Sequence, residues 1–263
     1  MNFFTIASGS GGNAYYLGIG GKSFLIDAGV SGKKIEHALQ QMNIRSLDGI
    51  FITHEHRDHI AGAGVVARRL KAAVYATPLT WRYFLRHNSL GQIDEALVKI
   101  IEPNKPLTIG DAKVTAFDIP HDATQPVGYA FRSLINKSEK MVIATDLGHA
   151  TDEVKKRLKN ARVILLESNH DPEMLERSRY HRALKARVAS NHGHLSNAQA
   201  GMLLAEVAVP NKTHVFLAHL SEENNTPMLA FDTVSRVLDG NNIKLGGLQI
   251  AERHILGEMI SYE

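Results

Sequence analysis

In the run His54-Glu55-His56-Arg57-Asp58-His59, four ligand-type side chains (His54, His56, Asp58 and His59) fall within six positions. His54 and His56 are two apart, and an extended backbone aims such a pair at the same point. Asp58 and His59 follow at the expected start of a helix. A solvated polar turn is the bland alternative, but such turns rarely carry three histidines and an aspartate between two apolar segments. The chain has no cysteine, so a metal must be held by His, Asp or Glu. Its 14 histidines supply the commonest metal ligand, which is also the usual proton carrier near neutral pH.

Short strands must position these groups. The apolar run 49–52 reads as a buried strand that ends at the His-rich loop, with a helix over 60–70 beyond it. Strands are expected at 3–7, 14–17, 23–26, 73–75, 98–101, 107–109, 114–119, 127–134, 141–144, 163–167, 214–218 and 248–251. Helices are expected from Ser31 to Met42, at 78–87, 151–158, 179–189 and 227–238, and from Ser196, where Gln199 completes a capping box. Clustered strands followed by alternating helices and strands occur twice. That pattern implies two sheets with helices outside, in one layered domain over 1–263 without a Pro/Gly/Ser-rich linker.

The 263 residues, 44% of them hydrophobic, suffice for one large core. The N-terminus lacks a basic region and a long apolar core, so it reads as a strand and not as an export signal. No stretch approaches the roughly 20 apolar residues of a membrane span. A cytoplasmic location without membrane attachment is the resulting expectation. A net charge of +3 permits an anionic partner.

The run from His54 to His59 matches the HxHxDH signature, and the chain resembles the metallo-β-lactamase superfamily over nearly its whole length. The resemblance implies an α/β (α+β) fold, the αββα sandwich of two mixed sheets flanked by helices, and a two-metal site. It assigns His54, His56 and His121 to one metal, Asp58, His59 and His219 to the other, and Asp146 to both. His121, Asp146 and His219 each follow an expected strand. Asp27 resembles the early Asp that orients a ligand His. Diiron relatives carry Glu at the His56 position; this thiol-free set suits zinc, with manganese as the alternative.

The run Asn191-His192-Gly193-His194-Leu195-Ser196-Asn197 resembles the conserved His segment of the phosphodiesterase branch. There His194 protonates the leaving oxygen after a bridging hydroxide attacks, with His192 as the fallback. Asp58 and His194 are thus the implied catalytic residues, and Ser196 and Asn197 stand where a helix N-terminus favours phosphate. The basic segment from Arg177 to Arg187, including Lys185 and Arg187, could face a phosphate backbone or be merely solvated. His170 could reach the mouth of the site. His37, His87, His214 and His254 read as surface or structural, while His149 and His181 stay open.

The runs from Ser8 to Asn13, Glu167 to Asp171, Gly193 to Asn197 and His219 to Asn225 resemble the YycJ/WalJ-type bacterial nucleases, with Gly11 and Ala14 departing from the usual Ser and Cys. This implies a phosphodiesterase acting on nucleic acid, a single-strand DNA exonuclease foremost. The alternatives are a phosphodiesterase for a small cyclic phosphate of the phosphoribosyl type, a thioester or lactone hydrolase, and a metal-binding scaffold that recognises nucleic acid without cutting it. The short span from Asp146 to His194 leaves no room for a β-CASP insertion.

Overall fold

Residues alternate between two faces along each strand, and the burial of both faces dictates a layered structure. The computed structural model describes residues 1–262. Its first half runs β1 (Asn2–Ala7), β2 (Ala14–Ile19), β3 (Lys22–Ile26), α1 (Gly32–Gln41), β4 (Gly49–Phe51), α2 (Arg57–Ile60), α3 (Ala63–Leu70), β5 (Val74–Ala76), α4 (Pro78–His87) and β6 (Val98–Ile100). The second runs β7 (Leu107–Ile109), β8 (Ala112–Asp118), β9 (Val127–Ser133), β10 (Lys140–Ala144), α5 (Asp152–Leu158), β11 (Val163–Glu167), α6 (Pro172–Arg177), α7 (Arg182–Val188), α8 (Asn197–Val207), β12 (His214–Ala218), α9 (Pro227–Gly240), β13 (Gly247–Ile250) and β14 (Ile260–Ser261).

The two sheets, ordered β14-β1-β2-β3-β4-β5-β6 and β13-β12-β11-β10-β9-β8-β7, share one internal plan. In each, three antiparallel pairings give way to three parallel ones, at β3 in the first sheet and at β10 in the second. Phe3, Phe24 and Phe51 meet Tyr129, Phe131, Ile143 and Leu165 between the sheets. The opposite face of the first sheet buries Phe4, Leu25 and Ile50 under α1, α3 and α4 through Ile35, Val66 and Trp81. The opposite face of the second buries Val142 and Ile164 under α5, α8 and α9 through Leu158, Leu204 and Val234. These three cores make the αββα sandwich, and each fully buried Leu or Phe contributes about 1.5–3 kcal/mol.

Phe51 ties the sheets together just before the His-rich loop. Its ring stacks on Tyr75 at 4.6 Å and meets Phe131 and Tyr129 edge-on at 5.3 and 5.4 Å. Tyr129 also donates its hydroxyl hydrogen to the Ile52 carbonyl at 2.6 Å. The loop therefore leaves a strand held from both sides.

Several boundaries differ from the sequence expectation. The helix expected over 60–70 is two helices, α2 and α3, because Gly62 packs against backbone where a Cβ would lie 2.3 Å from the Val30 carbonyl oxygen. The helix expected over 179–189 starts only at Arg182, since His181 caps it through Nδ1 to the Leu184 amide. Asp171 and Pro172 open an additional helix, α6, with the Asp171 carboxylate accepting from the Glu173 and Met174 amides. No helix among the described residues is long and apolar enough to cross a membrane.

Candidate metal centre

Seven residues that the sequence singles out as metal-binding converge at one end of the two sheets. Potential ligand atoms of His54, His56 and His121 lie within 4.8 Å of one another, as do those of Asp58, His59 and His219 and those of His54, His59 and Asp146. Most come from strand ends. The His-rich loop follows β4, Asp146 follows β10 and His219 follows β12; His121 lies beyond the antiparallel β8. Asp146 and His219 hold left-handed backbone, at φ 57° and 54°, and so does Asp27 after β3 at φ 56°. Such conformations are uncommon outside glycine and cluster at functional sites.

Hydrogen bonds fix which ring nitrogen faces inward. Asp27, fully buried, accepts from His59 Nδ1 at 2.8 Å and from the Thr53 amide at 2.8 Å, leaving His59 Nε2 for the centre. His121 Nδ1 meets the Gly193 carbonyl at 3.3 Å. Gly193 is required there, because a Cβ would lie 2.2 Å from the carbonyl oxygens of Arg187 and Val188. Glu55 is no ligand. Its Oε1 accepts from the Thr124 amide and hydroxyl at 2.7 and 2.5 Å, which ties down the loop following His121.

Glu167 is the residue that the sequence reading passed over. Fully buried at the end of β11, it accepts at Oε1 from His219 Nδ1 at 2.7 Å, His194 Nδ1 at 2.8 Å and the Asp146 amide at 3.3 Å. Its Oε2 accepts from the Leu147 and Leu195 amides, both at 2.9 Å. Ser8 and Asn13 also support the centre. The His219 amide donates to Ser8 Oγ at 2.9 Å, while Asn13 Nδ2 stands 3.1 Å from His59 Nε2 and 3.5 Å from Asp58 Oδ2. Their signal was the polar turn after β1, whose partners lie far along the chain.

Charge reinforces this architecture. Burial opposes ionisation of Asp146, but His219, His59 and His121 override it and hold the carboxyl below its usual range. Burial likewise opposes the His194 imidazolium, and the Glu167 carboxylate overrides it and raises the pKa. Buried His219 is pushed up to about 10 by Asp146, Asp58 and Glu167 against the cost of burial. Asp146 Oδ2 and His219 Nε2 are buried without hydrogen-bond partners, although Asp146 Oδ2 comes within 3.3 Å of His59 Nε2. Buried polar atoms require partners, and cations held by this oxygen- and nitrogen-rich set would supply them. The residues present thus fit divalent metal.

The surrounding residues depart from expectation in part. Asn197 is fully buried: its Oδ1 accepts from Ser168 Oγ at 2.6 Å, and its amide group pairs with Asn225. Its side chain therefore braces the loop after β11 and is unavailable to substrate. The start of α8 is likewise engaged, because the Gln199 amide bonds Ser196 Oγ, the Ser196 amide bonds Gln199 Oε1 and the Asn197 amide bonds the His170 carbonyl. Arg187 pairs with Asp122 beside His121, and Lys185 donates to the Glu176 carbonyl. Lys185, Ser196 and His170 line one open cleft with Tyr180 and Arg182, and His170 Nδ1 is buried there without a partner. His192 is exposed, and His149 is bonded to the Asn191 carbonyl at 2.9 Å.

The beta-lactamase superfamily domain matches residues 22–220. The chain belongs to the metallo-β-lactamase superfamily. Among relatives of this superfamily, an exodeoxyribonuclease YycJ of Bacillus anthracis is 40% identical over 94% of this chain and 92% of its own length. An exodeoxyribonuclease WalJ of Streptococcus pneumoniae is 38% identical over 94% of this chain and 91% of its own. The metallo-β-lactamase fold protein YhfI of Bacillus subtilis superposes with a TM-score of 0.71 over 98% of this chain and 99% of its own, at 18% identity. The two-sheet architecture is thus shared well beyond recognisable sequence.

Proposed function

We propose that this protein is a metal-dependent phosphodiester hydrolase that acts as an exodeoxyribonuclease, with single-stranded DNA as its foremost substrate and the whole chain as one catalytic domain. One observation carries the reading. His194 sits beside the ligand cluster with its Nδ1 on Glu167 and 3.9 Å from Asp146 Oδ1, so Nε2 remains to serve a leaving oxygen. The naming of the full-length relatives as exodeoxyribonucleases supports DNA over a small cyclic phosphate. A DNA substrate also suits a cytoplasmic location.

In this reading His54, His56 and His121 would hold one divalent ion, Asp58, His59 and His219 would hold a second, and Asp146 would contribute to both. Zinc suits the imidazole-rich set, and manganese is the second choice. Divalent ions bound there would supply an activated water and offset charge on the phosphoryl oxygens. Asp58 presents its carboxylate to the reacting centre. Glu167 fixes the His194 ring and favours its protonated form, ready to give a proton to the departing alkoxide. Asp27 and Glu167 orient His59 and His219 by taking their Nδ1 hydrogens. His170 and Lys185, which line the neighbouring cleft, contact the flanking nucleotide, while the Ser196 hydroxyl stays on Gln199 and Arg187 reaches the nucleotide only by leaving Asp122.

The test incubates metal-loaded protein with end-labelled single- and double-stranded oligonucleotides, a cyclic phosphate and a thioester, alongside His194→Ala and Asp146→Ala. Stepwise shortening of DNA that both variants lose is expected. Intact DNA together with a consumed thioester would overturn the assignment.

A further inference from the structure

Three cations stand in a row on the face of the second sheet that lies towards α5. Lys113 is directly opposite Arg132 across β8 and β9, and Arg132 is directly opposite Lys140 across β9 and β10. Like charges opposed across a sheet are destabilising. The end of α5 adds Lys156, Arg157 and Lys159, and the six cations line a cavity of about 390 Å³ without a carboxylate among its lining residues. Glu153 satisfies only Arg157, at 2.6 Å, and Lys156, at 3.6 Å. Lys140 is held against the sheet, its Nζ donating to the Lys159 carbonyl at 2.6 Å. Burial, Arg132 and Arg157 together push Lys140 down to about 8, so the cations strain one another.

This cavity lies at the end of the sheet opposite the metal centre. Asp146 lies six positions beyond Lys140, about 20 Å at roughly 3.3 Å per residue. A second depression, lined by Asn104, Pro120, Thr151, Lys156 and Arg157, overlaps the first and reaches the residue preceding His121. Its own carboxylates, Asp118 and Glu153, make it a poor anchor for phosphate but no barrier to a strand passing over it.

We propose that the basic cavity is a clustered-phosphate site, holding phosphates of a nucleic-acid strand whose end lies at the metal centre. The strand as occupant rests on the exodeoxyribonuclease reading; a free polyphosphate shares the chemistry. The double variant Lys113→Gln/Arg132→Gln alters two exposed positions and leaves the metal centre intact. Compared with wild type, its KM for a 20-nucleotide single strand should rise about tenfold, and the log–log salt dependence should become shallower by about 1.4, for two lost single-strand contacts. Turnover of bis(p-nitrophenyl) phosphate, too short to reach the cavity, should be unchanged. Calorimetry with tripolyphosphate provides a readout independent of cleavage: wild type should show a binding event that the double variant lacks, even if no DNA is cut. Identical tripolyphosphate binding by both proteins overturns the site. Altered tripolyphosphate binding with an unchanged KM for the 20-mer overturns the strand as its occupant.

Discussion

Replacing Glu167 with Gln changes one atom and should disturb the whole centre. The carboxylate accepts five hydrogen bonds, three at Oε1 and two at Oε2. A glutamine keeps only one accepting oxygen. If its NH2 replaces Oε2, the Leu147 and Leu195 amides lose their acceptor; if it replaces Oε1, the Asp146 amide and two imidazoles do. At least two buried donors are therefore stranded, at about 1–3 kcal/mol each, so the variant should lose roughly 2–6 kcal/mol of stability. Turning the amide towards the imidazoles would also reverse the His219 tautomer, placing its proton on Nε2, and metal affinity should fall about 10–100-fold. Urea unfolding reports the first effect, and metal titration of the folded variant the second. A variant with wild-type midpoint, metal affinity and turnover would refute the claim that this carboxylate organises the site.

His194→Ala should lower kcat by about 10²–10⁴-fold on DNA, and far less on a p-nitrophenyl ester whose leaving group needs no proton, with metal uptake retained; equal losses on both would remove His194 from proton transfer. Asp27→Asn should weaken the ion held by His59 about 10–100-fold while sparing the other, as read from metal stoichiometry under competing chelator. Lys140 makes stability depend on pH. Its folded pKa is lowered to about 8, so between there and the unfolded value near 10.5 the unfolded chain binds more protons and stability rises with pH. Lys140→Met should therefore gain most over wild type at pH 7 and lose that advantage towards pH 10.5, as measured by urea midpoints; a constant difference would contradict it.

The candidate ligands were legible because each advertises itself locally: four in the His54 loop, and His121, Asp146 and His219 after short strands rich in apolar residues. The sandwich was legible because β10 and β11 are apolar on both faces, which only burial from two sides permits. Glu167 was opaque for the opposite reason. A single carboxylate ending an apolar strand looks like a strand terminus, and its partners lie 20 to 52 residues away. Ser196 and Asn197 misled because a capped helix start looks like a phosphate cradle until its amides are traced to their acceptors. The break at Gly62 depends on the approach of the Val30 carbonyl, a contact that no local pattern reveals.

The bond between the His219 amide and Ser8 Oγ joins positions 211 apart in the chain. His219 directly follows β12, which pairs with β11, itself paired with β10. Closing so long a loop is among the slow steps of folding. A nascent polypeptide shorter than 219 residues consequently carries the His54–His59 cluster without the last of its proposed partners. In the proposed centre the set of seven candidate ligands is therefore complete only once synthesis has passed residue 219.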